Sequence, residues 1–288
     1  MYTSIPRSRT SDRLEPSLSA RKKIAGWRKI AAAAWGDPND PQIYGDLEID
    51  ATELLAFIER ARHQTGIPIT VTTMVGKAIA TALGEHADLN VRMYRGHFYQ
   101  RDTVDIFFIV SADAGAELSG VKIEQADGKP AIEIARELRD RALRIKGGED
   151  VELGKTKKMI SSTPRRLLKW SIRLSAWLTS DRDKDLKKYG LPRQAFGSAM
   201  ITSVGMFGIQ HAYAPLASYY RIPFLVLVGE VVEKPVVVDG QIAIRPMLTL
   251  SATMDHRYID GYHAARLAKT ARAYLENPSA YEPELPAS

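Results

Sequence analysis

The sequence predicts an α/β (α+β) fold, one mixed sheet flanked by helices. Amphipathic helical periodicity alternates with strand-like runs along most of the chain. One run, Val104–Ser111, is unbroken apolar over Ile106–Val110, as a strand covered on both faces would be. Another, Ile43 to Ile49, alternates like a strand with one face wet. No internal repeat and no second domain boundary interrupts this order. Residues 1–16 are expected to form a flexible N-terminal arm and 17–288 a single domain, with a stretch of different character at about 150–193.

Taken in order, residues 1–16 are polar, carry two prolines and have no apolar periodicity. Ser19 offers an N-cap to a helix over about Ala20–Ala34, which the run Gly36–Pro41 stops. After the Ile43–Ile49 strand, Thr52–Arg62 and Thr72–Glu85 read as amphipathic helices separated by Gly66-Ile67-Pro68. Asn90–Tyr99 then reads as a strand pair turning at Arg95-Gly96, followed by Val104–Ser111 and a further strand at Leu118–Gln125. Ala131–Lys146 is a helix closed by Gly147-Gly148.

In Pro164–Thr179, apolar residues including two tryptophans interleave with four cations. That pattern suits an amphipathic helix packed on the domain or on a sister subunit, a membrane-surface helix, or a lid over a substrate channel. Strands follow at Ala199–Val204, Phe224–Val232, Val236–Val238, Ile242–Arg245 and Met247–Thr253, with Asp239-Gly240 as a two-residue hairpin turn. A helix over Gly261–Glu276 ends at Asn277-Pro278.

Composition narrows the chemistry. At 288 residues, 45% hydrophobic and 26% charged, the chain has the make-up of an ordinary globular protein able to bury a large core. It has no cysteine, which excludes disulfides, thiolate nucleophiles and zinc-thiolate sites. No apolar run approaches a membrane span and no signal peptide opens the chain, so it reads as cytoplasmic. The net charge of +6 comes without a nucleic-acid motif, its cations spread widely with clusters at Arg21–Lys23, Lys155–Lys158 and Arg165–Arg173. Neither nucleic acid nor a membrane is expected as a partner, and no metal. His63, His86, His97, His211 and His263 show no metal-ligand spacing.

The segment Met254–Gly261 concentrates the chemistry. His256 follows a strand-like run and precedes a helix, four residues before Asp260-Gly261, a placement suited to a general base. Further motifs surround it: Ile201-Thr202-Ser203-Val204-Gly205-Met206-Phe207-Gly208, Pro235–Gly240, Arg245-Pro246-Met247, and upstream Arg21-Lys22-x-Ile24-Ala25 and Asp50-Ala51-Thr52-Glu53-Leu54-Leu55. In this order, from about Pro16 to Pro278, they resemble the catalytic domain of the acyltransferase component of 2-oxoacid dehydrogenase complexes. That family shares the fold of chloramphenicol acetyltransferase. The Asp255-His256-Arg257 form resembles the dehydrogenase branch.

The resemblance implies a chloramphenicol acetyltransferase-like, trimer-forming fold with the active site at the interface between neighbours. It implies an acyltransferase that moves an acyl group between coenzyme A and a thiol, such as a dihydrolipoyl group. His256 would take the proton of a thiol, whose ordinary pKa is about 8.5, and Thr202 would donate to the tetrahedral oxyanion. Asp260 would fix the architecture around the base, with Arg21 the candidate partner, and Gly261 would allow a close turn.

Coenzyme A is thus expected as substrate, with no lipoyl group covalently bound to this chain, since the 16-residue arm has no room for a lipoyl domain and a separate lipoyl-bearing protein would supply the acceptor. The polar, proline-containing C-terminus predicts a trimer that assembles no further. Departures from the family pattern fall at Asp150–Arg193, which is long, at Tyr220-Arg221-Ile222-Pro223, and at Ala112–Gly120. Two other readings are a non-catalytic trimeric scaffold for a dehydrogenase-type assembly and a membrane-surface acyltransferase acting on a lipid thioester.

Overall fold

The computed structural model describes residues 40–112, 117–146, 165–189 and 191–284. In chain order these form β1 (Gln42–Asp50), α1 (Thr52–Thr65), α2 (Val71–Glu85), β2 (Val91–Tyr94), β3 (His97–Gln100), β4 (Ile106–Ala112), β5 (Glu117–Ile123), α3 (Ala131–Lys146), α4 (Arg165–Ala176), β6 (Ala199–Ser203), β7 (Phe224–Val238), β8 (Gln241–Asp255) and α5 (Gly261–Glu276). The helix expected over 20–34, the arm 1–16 and the candidate Arg21 lie outside the described residues.

Six strands make one mixed sheet in the order β1-β8-β7-β6-β4-β5. The β7–β6 and β6–β4 pairs are parallel and the others antiparallel. Period-two alternation splits the sheet's side chains between two packed clusters. Ile201, Val226 and Leu250 enter the main core with Leu54 and Phe57 of α1, Met74 and Leu83 of α2, and Leu267 and Tyr274 of α5. Met200, Leu225 and Leu227 join Leu216 and Ile222 in a smaller cluster. Each such fully buried side chain stabilises the fold by about 1.5–3 kcal/mol relative to exposure.

Local signals explain the helix ends. Asp50 accepts from the Thr52 amide at 2.9 Å where α1 begins, and α1 stops at Gly66, whose φ of 66° is left-handed. Thr70 caps α2 by accepting from the Thr73 amide.

Two expectations are corrected. The strand pair around Arg95-Gly96 is a separate two-stranded ribbon, β2-β3, outside the main sheet. The four C-terminal strand segments, expected to be separate, are two 15-residue strands joined at Asp239-Gly240. Pro235 and Pro246 lie between the expected segments. They pair with Ile244 and Glu233 in an arm that no third strand borders among the described residues, so their missing amide donors forfeit no outer ladder bond there.

The segment after α4 is held on the core by arginines. Asp181 is buried and accepts from Arg221 at 2.7 and 3.0 Å, while Arg92 donates to the Ser180 carbonyl at 2.9 Å. Arg193 pairs with Asp183, and the buried Arg101 donates to Gln194 and to the Arg221 carbonyl. Burial pushes the Arg101 guanidinium down to about 10. Among the described residues, no helix is long and apolar enough to cross a membrane.

Candidate active site

The His256 turn is rigid because both of its flanks are fixed. Asp255 ends β8 almost fully buried, its amide donating to the Pro223 carbonyl at 2.9 Å. Its carboxylate accepts from the Arg257 backbone amide at 3.0 Å and from the Arg257 guanidinium at 2.5–3.1 Å. Tyr258 and Ile259 are buried, and the Tyr258 hydroxyl accepts from the Met93 amide at 2.9 Å. Between these anchors the His256 amide donates to the Pro41 carbonyl at 2.8 Å. The His256 side chain is exposed and makes no hydrogen bond or ion pair among the described residues.

Asp260 caps α5. Its carboxylate accepts from the His263 amide at 3.0 Å, and the Asp260 amide donates back to His263 Nδ1 at 3.4 Å, completing a capping box. The His263 backbone amide holds the Asp260 carboxyl below its usual range, and the His263 and His256 rings add to the effect. Sequence reasoning passed over His263, although Asp-x-x-His ahead of an apolar helix has the spacing of a capping box. It also missed the Asp255–Arg257 clamp.

Thr202 stands elsewhere, half-buried in β6 and paired with Leu227. With Ser203 it lines a mainly apolar cleft of about 680 Å³ whose walls include Phe108, Leu138 and Leu225. The chain beyond Thr202 is fixed by close backbone packing. A Cβ on Gly205 would fall 2.5 Å from the Gly229 carbonyl oxygen, and one on Gly229 would fall 2.2 Å from that of Gln210. Val204 and Glu230 donate to the Val228 and Ile209 carbonyls at 2.9 Å, across the irregular register of β7 between Val228 and Val231.

Strand register measures the gap between the two residues. Thr202 pairs with Leu227 and Leu227 with Ser251, so Thr202 is level with Ser251 two strands away. His256 lies five residues beyond Ser251, at the edge of the sheet where β7 begins. Strand spacing and rise put the two backbones on the order of 15–20 Å apart. Within one chain, therefore, the imidazole and the threonine hydroxyl cannot meet. Among the described residues, no cluster of His, Asp and Glu could hold a metal ion.

Comparison with known proteins agrees with this architecture. The dihydrolipoyllysine-residue acetyltransferase component of the Staphylococcus epidermidis pyruvate dehydrogenase complex is 26% identical over 265 residues, covering 89% of this chain and 51% of that protein. The lipoamide acyltransferase component of the Bacillus subtilis branched-chain alpha-keto acid dehydrogenase complex is 24% identical over 280 residues, covering 96% and 55%. The chain thus spans about half the length of these curated relatives.

A crystal structure described as a probable dihydrolipoamide acetyltransferase from Listeria monocytogenes superposes with a TM-score of 0.64 at 22% identity, covering 93% of this chain and 99% of that one. Azotobacter vinelandii dihydrolipoamide acetyltransferase, studied for the roles of a serine, a histidine and an asparagine in its catalytic mechanism, superposes at 0.61 and 22% identity, covering 96% and 99%. At these identities the likeness establishes the fold, a mixed sheet flanked by helices as expected. The model of the 2-oxoacid dehydrogenases acyltransferase catalytic domain matches residues 18–150 and 172–281, and the chain belongs to that family.

Proposed function

We propose that this protein transfers acyl groups between coenzyme A and a thiol acceptor, such as a dihydrolipoyl group on a separate protein, in a homotrimer whose active sites lie between neighbours. The observation that carries the reading is the pair of half-sites: a bare, outward imidazole on a clamped turn, and a hydroxyl on the wall of an apolar cleft of ligand size. Neither is useful alone. Facing one another across a subunit boundary, they make a base and an oxyanion donor.

The order of residues supports it. In the Azotobacter vinelandii enzyme the asparagine studied follows the histidine by four positions, and the serine precedes it by 52. Here Asp260 follows His256 by four, and Thr202 precedes it by 54. His256 takes the proton of the attacking thiol, and the thiolate adds to the thioester carbonyl. Thr202 donates to the oxyanion. Collapse expels the second thiolate, which recovers the proton from the imidazolium. Asp260 holds the start of α5 behind the turn. The cytoplasm suits this chemistry, because thiols stay reduced there. A non-catalytic scaffold would need none of these groups.

The β7–β8 arm supports the assembly. Beyond the pairs Asp50–Met247 and Ser203–Val228 no neighbouring strand borders it among the described residues, and Val237, Ile242 and Ile244 are largely exposed near its tip. A free two-stranded ribbon with an apolar face is marginal in water and is stabilised by covering.

The test is incubation with a panel of acyl-coenzyme A esters and free dihydrolipoamide, with transfer followed by mass spectrometry. His256→Ala is expected to lower kcat by at least about 10³-fold and Thr202→Ala by about 10²-fold, with unchanged circular dichroism. Absence of transfer from every ester, or a His256→Ala protein as fast as wild type, sinks the proposal.

A further inference from the structure

The helix α4 begins in the gap of the family match, residues 151–171, and runs on into its second matched segment. Four of its apolar side chains are left in the open: Leu167 is 57% exposed, Trp170 63%, Leu174 39% and Trp177, just beyond its end, 39%. Their spacing of three, four and three residues sets them in one stripe. The other side of the helix is fixed to the protein, with Ala176 buried and the Ser175 hydroxyl 3.4 Å from that of Tyr220. The stripe therefore faces away from the domain.

Charge accompanies the stripe. Arg165, Arg166, Lys169 and Arg173 lie in α4 with no acid, and the Arg182 guanidinium sits 5.2 Å from the Trp177 ring centre. From Lys155 to Ser180 the sequence has seven cations and no Asp or Glu, whereas the whole chain is only +6. The rest of the sequence is therefore close to neutral, and the positive excess is concentrated in this stretch of the chain.

We propose that the exposed face of α4 is an interfacial anchor that lays the protein on anionic lipid bilayers. Tryptophan settles at the headgroup level with its ring apolar and its N–H wet, leucine enters the acyl boundary, and clustered cations meet anionic headgroups. With 12 residues in α4 and five in the turn that follows, the segment lies along a membrane and is too short to cross one. Overall composition gives no sign of such a partner; the distribution of charge and apolar surface does.

The test uses the full chain and vesicles of phosphatidylcholine, alone or with about 30 mol % phosphatidylglycerol. The protein is expected to float with the anionic vesicles only, with a blue shift of tryptophan emission and with release at high salt. The double variant Trp170→Ser, Leu174→Ser is expected to cut the bound fraction about tenfold while circular dichroism and acyl transfer stay at wild-type levels. The proposal is overturned if the wild type ignores anionic vesicles or if the double variant floats as well as wild type. It is overturned equally if the variant's only change is a smaller assembly in mass photometry, or loss of an acidic protein partner, since the stripe would then be a protein interface.

Discussion

His256 owes its position to neighbours that perform no chemistry. The buried Asp255 carboxylate grips Arg257 and leaves the residue between them facing out. Asp260 sets where α5 starts. Asp260→Ala is expected to lower the melting temperature through loss of the cap, and Asp260→Asn to recover most of the loss, because the amide oxygen still accepts from the His263 amide. Thermal melts check this, and acyl transfer measured on the same variants separates the cap from any catalytic effect. Equal destabilisation by Ala and Asn would remove the capping role. Motif order alone singles out His256, Thr202 and Asp260 as candidates. Their separation could not be read that way, because it depends on which strands pair and in what register, and Thr202's level with Ser251 exists only once β6, β7 and β8 are assembled.

Helices and strands with strong periodicity were legible to within a few residues, as in Ala131–Lys146 and Gly261–Glu276. The failures share a cause: the sequence does not reveal what borders an element. Pro235 and Pro246 fall between the strands expected from the sequence, yet they are harmless in an arm that no third strand borders among the described residues. The apolar stripe of α4 suited packing on the domain, a sister subunit or a membrane surface, or a lid; it faces out from the domain, and Arg92, Arg101 and Arg221 dock the following segment by polar contacts. That docking should weaken in acid. Burial works against the Asp183 carboxylate, but Arg193, Gln194 and Arg92 outweigh it and hold the group below its ordinary value of 3.8. The unfolded chain therefore takes up this proton first. The stabilisation is complete above pH 3.8 and fades as pH falls through the lower folded value. Asp183→Asn should thus be less stable than wild type at pH 7, with the gap closing on acidification below about pH 4. A gap that stayed constant in urea titrations across that range would exclude the carboxylate as its source.

Taken as a whole, one chain holds the two proposed half-sites two strands and five residues apart on its sheet, together with an apolar arm that no neighbouring strand covers among the described residues. Both features resolve if each active site takes His256 from one subunit and Thr202 from the next. This arrangement has a quantitative consequence. His256→Ala and Thr202→Ala proteins, each impaired alone, are unfolded, mixed in equal amounts and refolded together. With random assembly, half of the His256 positions and half of the Thr202 positions are intact, so about a quarter of the sites carry both. Activity should return to about a quarter of wild type, far above either parent. A site completed within one chain would return only the average of the two parents. Adding Ile242→Asp at the tip of the arm should abolish the rescue if the arm joins the subunits, because the tip would then bury an unpaired charge. Rescue that survives this change would assign the subunit contact to another surface.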